Sequence, residues 1–243
     1  MTLRLSLLEL PATWAEGGGT AEALARVDQQ LGQGPAADLV LLPEAALTGY
    51  VSPLGSFDLT PFAEPDGGPT ARALAALAVK HRVHLAAPLI ERDGDRLYNA
   101  FVLVAPDGTR LAKYRKRHPW YPETWATPGD TPYPLVRIGA VDVTLAVCFD
   151  VHFLEEDAAE VLAKAQLLLF PSAWVDDVPD DDARGPLLTA LARRHRLTIA
   201  NANWGPGVVC VPGQGRSRVV YATGEAVEID TGCLRLAAPH ALR

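Results

Sequence analysis

A chain of 243 residues with 49% hydrophobic content can bury a sizeable core and still fold as one unit, and residues 1–243 read as a single domain. Its formal net charge of -7, with both signs scattered, excludes the basic patch that a phosphate backbone requires, so nucleic acid is not an expected partner. Cys148, Cys210 and Cys233 are odd in number and far apart, with no Cys-x-x-Cys pair and no His at ligand spacing, which argues against a disulfide framework and a zinc site.

The amino terminus is apolar but too short for a signal segment, and Glu9, Pro11 and Glu16 interrupt it. A cytoplasmic protein with no membrane partner is expected. Leu3, Leu5 and Leu7 alternate with polar positions in a first strand, and Gly17-Gly18-Gly19 bends the chain after it. Thr20 caps a helix whose Ala21, Leu24, Val27 and Leu31 recur at helical spacing until Gly32 and Gly34 close it. Asp38 to Leu42 is a strand buried on both faces, and it ends at Pro43-Glu44. Pro69 and Thr70 open a second helix over 71–81. Strands over 83–90, 97–104 and 110–114 follow, with turns at Asp93-Gly94 and Pro106-Asp107-Gly108. This meander among βα units predicts mixed rather than parallel sheets.

The third of those strands runs into Lys113-Tyr-Arg-Lys116-Arg-His118, a charge run of the kind that is usually a solvated face. Residues 119 to 134 hold five prolines and four aromatics without periodicity, a long loop of the functional kind. Asp142 to Asp150 is then an apolar strand that delivers Cys148 at its carboxyl end, where open α/β sheets collect reacting groups. A helix over 154–166, a strand over 167–170, a helix over 185–195, a strand over 197–203 and a closing hairpin over 207–229 complete the chain. The acidic stretch Asp176, Asp177, Asp180, Asp181, Asp182 reads as a solvated loop and helix amino terminus. Cys210 and Cys233 read as structural.

A buried strand ending in Pro43-Glu44, the Lys113-Tyr-Arg-Lys116 segment and a strand ending in Cys148-Phe149-Asp150, in that order, resemble the nitrilase (carbon-nitrogen hydrolase) superfamily. Phe170 to Trp174, Asn201 to Gly205 and Gly215-Arg-Ser217 leading to Thr223-Gly224-Glu225 are similar to weaker signposts of that family. The resemblance implies an α-β-β-α sandwich, two mixed sheets flanked by helices, and a homodimer or larger homo-oligomer. It implies Cys148 as nucleophile, Glu44 as general base, and Lys116 with the backbone N–H of Phe149 as oxyanion donors. Glu123, in the loop after the lysine, is implied to orient the lysine and the substrate. These types belong together because a thiol with pKa near ~8.5 is mostly protonated at neutral pH and needs an adjacent base or cation to attack an amide.

The segment around Glu123 is closest to the aliphatic amidase pattern, and Cys-Phe-Asp favours an amide over a nitrile. His118-Pro119 and Val151-His152 depart from that pattern. Trp120 and Trp174 are candidate substrate-binding residues, and Trp125 and Trp204 read equally as core. No cofactor or metal is implied, and the partner is a small-molecule amide. N-carbamoyl amino acid or nitrile hydrolysis on the same site is the alternative, and a catalytically silent binding member is the rival of another class.

Overall fold

Residues one apart along each strand face opposite layers, and this period of two lays out the molecule. The computed structural model describes residues 3–14, 19–34, 36–51, 56–178, 181–208 and 211–228. The first sheet holds β1 (Leu5–Leu7), β2 (Leu39–Leu41), β3 (Glu64–Pro65), β4 (His84–Asp93), β5 (Arg96–Val104) and β6 (Arg110–Arg115), in the order β1-β2-β4-β5-β6 with β3 beside β4. β1, β2 and β4 run parallel, whereas β4, β5 and β6 are antiparallel neighbours. The second sheet holds β7 (Leu135–Ile138), β8 (Val141–Leu145), β9 (Leu167–Ser172), β10 (Thr198–Asn203), β11 (Arg218–Val220) and β12 (Ala226–Glu228), in the order β12-β11-β10-β9-β8-β7. Its centre, β8 to β10, is parallel, and antiparallel strands flank that centre. Both sheets are therefore mixed, as the meander predicts for the first and the family resemblance implies for the pair.

Leu39 and Leu41 of β2 with Phe101 and Leu103 of β5 join Leu145, Leu167 and Leu169 in the core between the sheets. The alternate residues Val40, Leu42, Val102 and Val104 face a second cluster instead, with Ala23 and Val27 of α1 (Gly19–Gln33) and Leu74 and Ala78 of α2 (Pro69–His81). On the far side, α5 (Arg184–His195) packs on β10 and β11. The layers run α-β-β-α. Each fully buried Leu here contributes about 1.5–3 kcal/mol relative to exposure, so the sandwich is held mainly by these two apolar seams.

Several expectations need correction. The cysteine strand ends at Leu145, and Cys148 instead opens a 3-10 turn over Cys148–His152. Cys148 has φ +46°, a left-handed backbone that no strand can continue through. The helix predicted over 154–166 is two pieces, α3 (Leu154–Asp157) and α4 (Ala159–Leu162), because Ala158 leaves helical geometry at φ -132°, ψ 22°. β7 was not foreseen, its four residues following the proline-rich loop directly. Gly17, Gly18, Asp180, Cys210, Ile229 and Cys233 lie outside the described residues. Among the described residues no helix is long and apolar enough to cross a membrane.

Candidate active site

Strands of both sheets deliver the site at one end of the sandwich. Glu44 follows β2, Lys116 follows β6, Cys148 follows β8 and Ala173 follows β9, while Asn99 sits near the start of the antiparallel β5. The β5–β6 ladder ends by donating the Lys116 N–H to the Asn99 carbonyl at 2.8 Å, which fixes where the lysine leaves the sheet. Gly129 then brings the proline-rich loop back against β6, its N–H donating to the Lys116 carbonyl at 2.8 Å. A Cβ there would lie 2.0 Å from the Arg115 carbonyl oxygen, so only glycine permits the approach.

Four predicted residues meet. The Lys116 ammonium donates to Glu44 Oε1 at 2.7 Å and to Glu123 Oε2 at 2.5 Å, and all three side chains are buried. Glu44 Oε2 accepts the Ala173 N–H at 3.0 Å, and Glu123 Oε2 accepts the Trp120 N–H at 2.6 Å. Cys148 is 7% exposed, and its thiol is raised by the Glu44 carboxylate and lowered by the Ala173 N–H. Phe149, the expected second oxyanion donor, follows the nucleophile on the same turn and lines the same pocket.

The charges oppose one another in a way that bears on chemistry. Burial pushes the Glu44 carboxyl above its ordinary value, Lys116 pulls it back, and the Glu123 charge adds to the rise. Burial pulls the Lys116 ammonium down, but Glu123 and Glu44 outweigh that and raise it. Burial and the Glu44 charge push the Cys148 thiol well up against the pull of Lys116. One ammonium thus serves two carboxylates, and burial together with the Glu44 charge disfavours the resting thiolate. The thiol proton has one obvious acceptor, Glu44.

Sequence reasoning missed several supports. Asn99 donates to both Glu44 and Glu123, and its only sequence signal is an amide inside an apolar strand, where Asn is uncommon. Asp150 accepts from Tyr114 Oη at 2.8 Å and from the N–H groups of Val147, Arg117 and His118 at 3.0, 3.1 and 2.9 Å. It ties the nucleophile turn to the lysine segment. Three of the weaker signposts meet in a buried lattice, while Thr223-Gly224-Glu225 stand apart from it: Ser172 Oγ and the Trp174 N–H both donate to Asn203 Oδ1, and the Asn203 N–H donates to Ser217 Oγ.

The basic run is not a solvated face. Lys113 and Arg115 both pair with buried Glu91, Lys116 is in the site, and Arg117 and His118 pair with Asp157. The reason is the strand period, which sends Tyr114 into the core between the sheets and its neighbours to the other face. The acidic stretch is also less solvated than expected: Asp176 is buried and accepts the Trp174 indole N–H, and Asp182 pairs with buried Arg218 at 2.7 Å. Trp120 and Trp174 line a pocket of about 100 Å³ with Cys148, Phe149, His152, Ala173 and Val175. Trp204 is buried beside Tyr50 and donates to the Trp174 carbonyl, and Trp125 donates to the Phe57 carbonyl, so both brace the wall rather than line the pocket. Among the described residues no cluster of three or more His, Cys, Asp or Glu is placed to hold a metal ion.

The sequence profile of the carbon-nitrogen hydrolase family matches residues 5–226. The chain is 30% identical over 206 residues to the "hydrolase in pqqF 5'region" of Pseudomonas protegens, covering 84% of this chain and 70% of that protein. It is 30% identical over 192 residues to the omega-amidase NIT2 of Homo sapiens, covering 71% of this chain and 64%, less than two thirds, of that protein. The crystal structure of an amidase from Nesterenkonia sp. superposes with a TM-score of 0.80 at 26% identity, over 96% of this chain and 88% of that one. That amidase has also been solved as a cysteine-to-alanine variant in complex with butyramide. A glutamate-to-glutamine variant of it shows covalent addition of the acetamide moiety of fluoroacetamide at the active site cysteine.

Proposed function

Because the chain belongs to the carbon-nitrogen hydrolase family and is a hydrolase of the amidase kind, we propose that it cleaves the C–N bond of a small carboxamide through an acyl-enzyme on Cys148. The observation that carries this reading is one buried carboxylate, Glu44, that accepts from Lys116, Asn99 and the Ala173 N–H and acts on the thiol of Cys148, which lines a small pocket. Cys148 Sγ attacks the amide carbonyl carbon as its proton passes to Glu44. Lys116 Nζ and the Phe149 N–H hold the resulting oxyanion, and Glu44 returns the proton to the leaving nitrogen as the C–N bond breaks. Water then gives a proton to Glu44 and attacks the thioester, and collapse releases the carboxylic acid while the thiol regains its proton. Glu123 holds Lys116 through its Oε2.

Substrate size and charge follow from the lining. The pocket is small and walled by Trp120, Phe149, Trp174 and Val175, and His152 is the one basic side chain there. Burial pushes His152 below its ordinary value, which favours its uncharged form. A short, uncharged acyl group suits these walls, and the butyramide bound to the Nesterenkonia amidase variant is of that class. N-carbamoyl amino acids and nitriles would meet the same residues. Ammonia release from a panel of short carboxamides, N-carbamoyl amino acids and nitriles decides: turnover of the carboxamides without CO₂ is expected, and CO₂ with ammonia or nitrile turnover would replace the amide reading. A homodimer or larger homo-oligomer is inferred from the family resemblance and is checked by sedimentation.

A further inference from the structure

Asn99 is 1% exposed on β5 and touches three parts of the site. Its Nδ2 donates to Glu44 Oε1 at 2.8 Å and to Glu123 Oε1 at 2.7 Å, and its backbone carbonyl accepts the Lys116 N–H at 2.8 Å. Chemistry fixes which way the amide points, because ionised carboxylates only accept and the NH₂ group must face both. The Oδ1 is left over, buried and without a hydrogen-bond partner among the described residues. A buried acceptor left unpaired is a cost that folding alone does not explain. The bridge between the two carboxylates does.

We propose that Asn99 is a positioning residue of the hydrolytic site: by giving one amide hydrogen to each carboxylate, it holds Glu44 and Glu123 on the Lys116 ammonium and keeps Glu44 anionic, ready to take the thiol proton. This rests on the reading of Glu44 as the base. The groups that face Glu44 are Lys116 and Glu123 from the lysine segment and its loop, Cys148 from the nucleophile turn, and Tyr50 from the segment beyond Glu44. Lys116 is the single cation among them. With two carboxylates competing for it, the Asn99 hydrogens supply the remaining stabilisation of negative charge. Their removal raises the proton affinity of Glu44, so the base is lost at a higher pH.

The test is the pH profile of kcat/KM on a short carboxamide for the wild type, Asn99→Leu and Asn99→Asp, with active sites counted by alkylation of Cys148. A hydrogen bond to a charged group corresponds to about one pKa unit, so the acid limb of Asn99→Leu moves up by about one pH unit. Asn99→Asp moves it further, because a third carboxylate now faces the other two. In both variants kcat falls while KM changes little. An acid limb that stays at the wild-type position in the folded molecules of both variants overturns the proposal, since a purely structural role lowers only the number of active sites. Asn99→Asp is nearly isosteric and carries the test where Asn99→Leu does not fold. Glu44→Gln is assayed beside them: full turnover in that variant overturns the base assignment and this proposal together, whereas a dead Glu44→Gln with unmoved Asn99 profiles overturns this proposal alone.

Discussion

Lys116 and Arg115 are neighbours in the chain, yet each anchors a different cluster of charge. Arg115 pairs with Glu91 at 2.7 Å and with Asp93 and Asp130 at 3.0 Å, and stacks 3.9 Å over the Tyr98 ring. Lys113 joins it on Glu91 and reaches Asp66, which Arg110 also holds. With Arg96 reaching Asp93 and Asp130, this outer cluster matches its four acids with four cations, and two of the acids, Asp93 and Asp130, stand half in water. Burial pushes Glu91 up, but hydrogen bonds from Arg115 and Lys113 outweigh it and hold Glu91 below its ordinary value. The Arg110 hydrogen bond takes Asp66 to about 2. In the inner cluster one buried ammonium meets two buried carboxylates, and Glu44 is driven upward instead. The same ingredients lower a carboxylate where each acid has a cation, and let burial raise Glu44 where two acids share one.

The largest separation between the clusters comes from removing the base. Glu44→Gln lowers kcat by up to about 10⁴-fold, the upper range of general acid–base catalysis, as read by ammonia release from folded enzyme. Next, Lys116→Met removes an oxyanion donor, so kcat per active site falls on the order of 10²–10³-fold, and two buried carboxylates are left unpaired at a cost of about 3–5 kcal/mol in denaturant unfolding. Arg115→Met costs less, about 1.5–3 kcal/mol of stability, because Lys113 still pairs with Glu91, and kcat per alkylated Cys148 stays within about threefold of wild type. An Arg115→Met enzyme that folds yet loses turnover would erase the distinction.

Titration gives a smaller and independent contrast. Glu44 works as a base only when ionised and its folded value is raised, so activity is lost as pH falls through a point above the ordinary carboxylate value of 4.5. Glu91 and Asp66 are depressed, so their contribution to stability is present above their unfolded values and disappears only as pH falls below 4.5 and 3.8 toward the folded ones. On acidification, activity should therefore vanish before circular dichroism reports unfolding. Coincident loss by both probes would contradict the assignment. The smallest effect expected is that of Asp150→Asn, which keeps one accepting oxygen and turns an amide toward N–H donors: about 1–3 kcal/mol of stability and a slower alkylation of Cys148.

Glu44, Lys116, Glu123 and Cys148 were legible as a set through the resemblance of their segments to the carbon-nitrogen hydrolase superfamily, whereas the charge run around Lys116 reads by itself as a solvated face. The mixed sheets were legible in the meander, and the helical layers in the periodicity of α1 and α2. The rest depended on contacts that the chain does not announce. Ala173 supports Glu44 through a backbone N–H across 129 residues, and no side chain marks it. Asp150 reads as a member of the nucleophile motif, while its four hydrogen bonds show a clamp between two segments. The basic run misled because local charge density says nothing of which face a strand turns inward. Cys148 was placed on a strand because its apolar run continues past Leu145, and the left-handed turn at Cys148 has no signature in residue type.

The central claim is that Cys148 carries the acyl group while Glu44 manages its proton. The most direct measurement is the intact mass of the enzyme, quenched in acid during turnover of a short carboxamide, with Cys148→Ala treated in parallel. A species heavier than the free enzyme by the acyl group is expected, mapped to Cys148 by peptide digestion and absent from Cys148→Ala, which releases no ammonia. Full ammonia release by Cys148→Ala, or an acyl adduct on another residue, would contradict it.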